Sequence, residues 1–136
     1  MELEVRPAPG RSDASVLALA GDLDANSYLQ AIAAAEGAYK SGARALILDL
    51  SDTRFVSSSG LVAIHSIALL MQGQKPPDPE AGWSAIRSMG YGQGADARRS
   101  LKLVNPQPRI AATLAKVGLT DALDVYPTLD AALAAL

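Results

Sequence analysis

ALILDLSDTRFVSSSGLVAIHSIALLM, residues Ala45–Met71, is the stretch whose reading decides the fold. Ala45 to Leu50 is a nearly continuous apolar run, the pattern of a strand covered on both faces, which belongs in the centre of a sheet. Asp49 is the one charge in that run and lies towards its carboxyl end, where open α/β sheets place polar, functional groups. Asp52 and Thr53 break the run as turn formers, and Phe55 and Val56 are expected to pin that turn to the core. Ser57 then has the character of a helix N-cap. Ser58, Ser59 and Gly60 fill the first turn, where backbone N–H groups lack intrahelical partners. A cluster of hydroxyls therefore sits on a helix N-terminus at the carboxyl end of a buried strand.

Spaced at about 100° per residue, the helix after Ser57 gathers Gly60, Leu61, Ile64, Ile67, Ala68 and Met71 on one side, wide enough to bury against a sheet. Ser58, Val62, His65, Ser66 and Leu69 fall on the other. Val62 and Leu69 beside Ser58 read either as a contact surface or as ordinary exposed aliphatics.

Upstream, Leu3, Val5 and Pro7 alternate with polar residues in an edge-type strand, where a proline is tolerated. Ser15 to Ala20 is a second apolar strand, paired with the first as a hairpin, and Asp22 and Asp24 follow its end. Ser27 and Gln30 have capping-box spacing and open an Ala-rich helix running to about Ser41, with Gly42 placed for a left-handed cap.

Downstream, residues 72–100 hold Pro76, Pro77, Pro79, five of the eleven glycines and the single tryptophan, Trp83. So many breakers between regular elements read as a long loop insertion. Glu80 to Met89 is a candidate short helix, with Trp83 and Ile86 folding back on the domain. Gly90-Tyr91-Gly92-Gln93-Gly94 lacks the flanking strand and helix of a nucleotide loop. Regular structure resumes with a strand at Leu101 to Val104, then Asn105-Pro106 as a helix start and a stripe of Ile110, Leu114 and Val117 ending at Gly118. A short strand near Leu123 to Tyr126 and a helix from Thr128 follow. Strands and helices alternate after the opening hairpin, so the fold class is α/β with a mixed sheet.

The chain has 136 residues and a net charge of −2, a length that supports one core. Its acidic balance gives no footprint for nucleic acid or an anionic membrane. No apolar run approaches the roughly 20 residues of a membrane span, and MELEVRPAPG lacks the parts of a signal peptide, so a cytoplasmic protein is expected. There is no cysteine and only one histidine, which removes thiolate chemistry and makes most metal sites poor prospects.

A Ser58–His65 catalytic pair fails on geometry. Seven residues of helix rise roughly 10 Å, against the roughly 3 Å that a nucleophile–base hydrogen bond needs. Asp22, Asp24, Asp49 and Asp52 could converge on a divalent cation, but aspartate at strand ends and helix starts is explained by turn and cap formation. The serines offer instead a place for phosphate: free N–H donors and a positive dipole end tolerate a phosphoserine, while its charge opposes any interface on the same face. Capping alone would also account for them.

LILDLSDTRFVSSSGLVAI resembles the core signature of STAS domains, the fold shared by bacterial anti-sigma factor antagonists and the cytoplasmic tails of sulfate transporters. Gly21-Asp22-Leu23-Asp24 is similar to that family's Gly-x-Leu-Asp stretch. Leu101 to Val104, Ile110, Leu114 and Gly118-Leu119 are similar to its last strand-and-helix unit. The resemblance implies one STAS-like domain over residues 1–136, with a mixed sheet of four to five strands, about four helices and the 72–100 insertion. In anti-sigma factor antagonists the motif is Asp-Ser-Ser-Gly, and the serine after the Asp is phosphorylated by the anti-sigma factor kinase. Carried over, Ser57 occupies the Asp position and Ser58 is the phosphorylation site, with Ser57 and Ser59 as alternatives; the missing Asp removes a charge beside the acceptor.

The implied protein is a non-enzymatic anti-sigma factor antagonist that binds an anti-sigma factor serine kinase and is switched off by phosphorylation. Asp22, Asp24, Ser58, Val62, His65 and Leu69 are its expected partner-binding residues. No cofactor, metal, nucleic acid or membrane insertion is expected, and the oligomeric state is open, a dimer included. The alternatives are a STAS subunit of a signalling scaffold or lipid transporter without a phosphoswitch, and a small-ligand-binding STAS domain.

Overall fold

The computed structural model describes residues 1–73 and 100–136. The expectations for Glu80 to Met89, Trp83, Ile86 and Gly90 to Gly94 lie outside the described residues. The order is β1 (Glu2–Pro7), β2 (Ala14–Leu23), α1 (Tyr28–Lys40), β3 (Ala45–Asp49), β4 (Thr53–Val56), α2 (Ser58–Met71), β5 (Leu101–Val104), α3 (Pro108–Lys116), α4 (Leu119–Ala122), β6 (Asp124–Tyr126) and α5 (Leu129–Ala134). The strands form one six-stranded mixed sheet in the order β1-β2-β3-β5-β6, with β4 pairing β2 off that path. Among the described residues only the β1–β2 hairpin is antiparallel.

Side chains alternate across the sheet with the two-residue period of a strand. Leu17, Leu19, Leu46, Leu48, Leu101 and Leu103 point to one face and meet α1, α2 and α3 in the larger core. Val16, Ala45, Ile47 and Val104 point to the other and pack with Ala132, Leu129 and Leu133 of α5. The apolar run at Ala45 to Leu48 is therefore covered on both faces, as its composition requires.

Helix α1 buries a stripe of alanines, Ala31, Ala35 and Ala38, and these small side chains let it lie close against α2. Helix α2 has sheet on one side and α1 on another, and every residue from Gly60 to Met71 is buried. That corrects the division into an inward and an outward face: Val62 is 2 % exposed, His65 5 % and Leu69 4 %. A largely apolar helix belongs in an interior, and the 100° projection finds the sheet-facing side without showing how much of the far side is covered.

Two local expectations also change. Thr53 to Val56 is a strand rather than a turn, so the sheet has six strands instead of four to five. Helix α3 starts at Pro108 after Gln107, not after Asn105, which adopts a left-handed φ of 48°. Pro106 and Pro108 both suit a helix start, and the proline rule alone does not choose between them.

Candidate functional site

The carboxyl ends of β2 and β4 set the geometry around the serines. Gly21 lies opposite Thr53 and Asp22 opposite Phe55, so Arg54 is an extra residue on β4 and the ladder shifts register there. Thr53 is buried and donates its hydroxyl to the Leu19 carbonyl at 2.8 Å, fixing the strand below the shift. Above it both Arg54 and Phe55 face out, the re-aiming that an inserted residue produces. Phe55 is 48 % exposed, contrary to the expectation that it pins a turn to the core. Val56 is buried and does so.

The chain then passes directly into α2. The Ser57 N–H donates to the Leu23 carbonyl at 2.9 Å, tying the serine segment to the Asp22–Asp24 stretch. Ser57 has extended backbone and caps the helix, its Oγ accepting the Gly60 N–H at 3.2 Å. Gly60 is required by packing: a Cβ there would collide with the Leu23 carbonyl oxygen and come within 2.8 Å of Val56 Cγ1. The first turn of α2 thus rests on the end of β2, and this close seating leaves Ser58 exposed while Ser57 and Ser59 are half-buried. Ser58 and Ser59 are first-turn residues whose N–H groups have no intrahelical carbonyl.

Asp22 and Asp24 stand beside this turn. Asp22 is half-exposed and 3.9 Å from Arg54. Asp24 Oδ1 accepts the Asn26 N–H at 2.9 Å. Ser27, expected as a capping-box residue of α1, instead knits this loop: its Oγ accepts the Asp24 N–H at 3.0 Å and donates to the Asp22 carbonyl at 2.8 Å, and it makes no cap bond to the helix. A buried hydroxyl that reaches backward satisfies the loop, so the box spacing is coincidental here.

Of the expected partner-binding residues, the structure brings Asp22, Asp24 and Ser58 together at one end of the sheet and buries Val62, His65 and Leu69. Burial lowers the His65 pKa from its ordinary 6.5. Asp49 and Asp52 do not join the group; Asp49 Oδ1 is taken by the Ser51 N–H at 3.0 Å and hydroxyl at 2.6 Å, and both residues line a groove with Glu2 and Glu4. Among the described residues, no three acidic or histidine side chains are gathered to hold a metal ion. Phe55 was not anticipated as a site residue. As the chain's single phenylalanine, placed two residues before the serines, it carried a signal in its position. Leu29, in the first turn of α1 after the Asp24 loop, is 55 % exposed at the same end.

A serine-capped helix seated on a strand end, in a mixed sheet with helices on both faces, places the chain among proteins of the STAS fold. The STAS domain of a SulP transporter from Vibrio cholerae superposes with a TM-score of 0.58 at 17% identity, covering 92% of this chain and 81% of its own. Anti-sigma factor antagonists share the same architecture. One from Mycobacterium paratuberculosis gives a TM-score of 0.65 at 21% identity, covering 98% of this chain and 92% of its own. Unphosphorylated SpoIIAA gives 0.60 at 16% identity, covering 96% and 92%; this Bacillus cell fate determinant also has a structure in its phosphorylated form, with a TM-score of 0.54 at 17% identity, covering 96% of each chain. The sequence matches no family model and no curated protein. Among the described residues, no helix is long and apolar enough to cross a membrane.

Proposed function

We propose that this protein is an anti-sigma factor antagonist that acts by binding rather than by catalysis: it docks on an anti-sigma factor serine kinase in the cytoplasm, and phosphorylation of Ser58 ends the interaction. The observation that carries this reading is that, of the three serines at the start of a capped helix, Ser58 is exposed while Ser57 and Ser59 are half-buried. A kinase reaches Ser58 most easily, and a phosphate there lies beside free N–H groups and the positive end of α2. Phosphorylation therefore leaves the fold intact and adds about two negative charges to the surface.

The docking surface is formed by Ser58, Asp22 and Asp24 with Phe55 and Leu29, exposed apolar side chains at the same end of the sheet. An aromatic anchor beside a chargeable hydroxyl suits an interface that a phosphate can switch off, because burying that charge is unfavourable. SpoIIAA, of the same fold, exists in phosphorylated and unphosphorylated forms, which supports a switch by phosphorylation. Ser57, which stands at the motif's Asp position, keeps the cap but removes a charge next to the acceptor. That difference favours a second reading, a STAS subunit of a larger assembly without a phosphoswitch, in line with the likeness to a SulP transporter domain.

Incubation with an anti-sigma factor serine kinase and ATP, followed by mass-spectrometric mapping, separates the two. Phosphate on Ser58 is expected. Phosphate on Ser57 or Ser59 alone overturns the assignment, and no phosphate at all favours the scaffold reading.

A further inference from the structure

The outer edge of β1 presents a row of backbone groups that no other strand among the described residues meets. Its residues are exposed apart from the half-buried Leu3, and Val5 is 46 % exposed. The hydrogen-bond phase of this edge follows from its pairing with β2. Glu2 lies opposite Ala20, Pro7 opposite Ser15, and one step further the Ala8 N–H donates to the Ala14 carbonyl at 3.0 Å. Antiparallel ladders alternate, so the even residues Glu2, Glu4 and Arg6 direct their backbone groups to β2. The odd residues Leu3, Val5 and Pro7 direct theirs outward. Pro7, which has no N–H, costs the β1–β2 ladder nothing in this phase.

We propose that this edge pairs with the same edge of a second copy of the chain, antiparallel and centred on Val5. In that register the two Val5 residues exchange both backbone bonds, and each Leu3 N–H reaches the Pro7 carbonyl of the second copy, which needs no donor from proline. Cross-strand neighbours on one face become Glu4 against Arg6 of the second copy, twice, while Val5 covers Val5 on the other. Within one chain these charges already lie together, Arg6 Nη1 being 3.9 Å from Glu4 Oε1. Each alternative two-fold register sets like charges together: centring on Leu3 places Glu2 against Glu4 twice, and centring on Glu4 places Glu4 against Glu4 between two Glu2–Arg6 pairs, so the register centred on Val5 is the one without a like-charge contact. The sequence of the strand is therefore self-complementary in one register, the requirement for a two-fold contact. The contact is a single strand pair, so the dimer is weak and concentration-dependent. Strand β4 lies on the side of β2 away from β1, so pairing leaves the Ser58 end open.

Sedimentation velocity from about 10 μM to about 1 mM, the range of weak association, tests this at neutral pH. The wild-type chain should pass from monomer to dimer across that range. Arg6→Glu should remain monomeric, and combining it with Glu4→Arg, which exchanges the two charges, should restore the dimer. Val5→Pro, whose lost N–H points outward and serves no bond to β2, should also remain monomeric with a thermal transition close to that of the wild type. A wild-type chain that stays monomeric overturns the proposal, since Glu4, Arg6 and Pro7 would then guard the edge. Dimerisation of Arg6→Glu equal to wild type overturns it as well, by placing the contact elsewhere.

Discussion

Three residues at the start of α2 set its geometry. Ser57 satisfies the helix end, Gly60 lets that end rest on β2, and Ser58 is left to solvent. Gly60→Ala forces a methyl group into the Leu23 carbonyl, a backbone atom that cannot rotate away. The expected cost is about 1–3 kcal/mol, the usual range for overpacking, readable as a lowered midpoint in chemical denaturation. His65 offers a pH-dependent reading of the same helix. Its pKa is lowered in the folded state by burial, so below its ordinary 6.5 the unfolded chain binds the proton more readily. Stability contributed by the neutral imidazole is complete above that value and falls as the pH drops through 6.5 towards the folded pKa. Stability measured from pH 8 to pH 5 should decline on the acid side, and His65→Gln should flatten that part of the curve; an unchanged slope would mean that other groups set it. At this scale the Ser57 cap was legible from residue type, because Ser just before an apolar helix is a favoured N-cap. Ser27 was misread for the same reason: its hydroxyl has several backbone partners within reach, and spacing does not say which it takes.

Elements differ in how much of their environment they carry in their own pattern. Strand β3 was legible because a short apolar run must be covered on both sides, and it is. Helix α2 was legible in position and sheet-facing side but not in its opposite face, since burial of that face depends on residues distant in sequence, which the helix's own pattern does not encode. Strand β4 was hidden by Asp52 and Thr53, turn-forming residues at its start, and by the inserted Arg54 that breaks its alternation. The corrected burial reverses a mutational expectation. Leu69→Asp now places an unpaired charge in a site 4 % exposed and should destabilise by about 4 kcal/mol or more, enough to unfold a small domain. Phe55→Asp alters a side chain half in solvent and should leave the thermal transition nearly unchanged while weakening partner binding. Circular dichroism melts of the two variants beside their affinities check both; a folded Leu69→Asp, or a Phe55→Asp that binds normally, contradicts the assignment of faces.

Over the whole molecule, a single sheet sorts the chain's functions by position. Its two faces hold the two cores, and the carboxyl end that β2 and β4 share presents Asp22, Asp24, Phe55 and Ser58. The parallel arrangement brings these residues together although they come from separate strands and a helix start. Alternation of strands and helices made the α/β class legible, whereas the pairing of β4 with β2 rests on contacts distant in sequence. Because Ser58 is on the surface and the fold is anchored by Ser57 and Gly60, a phosphate placed on Ser58 should change binding without changing structure. The direct test is calorimetric titration of an anti-sigma factor serine kinase with the unmodified chain and with a chain carrying phosphoserine at Ser58. The account predicts binding of the first and an affinity at least about 100-fold lower for the second, corresponding to about 2.7 kcal/mol of interface free energy. Equal affinities, with the phosphorylated chain still folded, would contradict it.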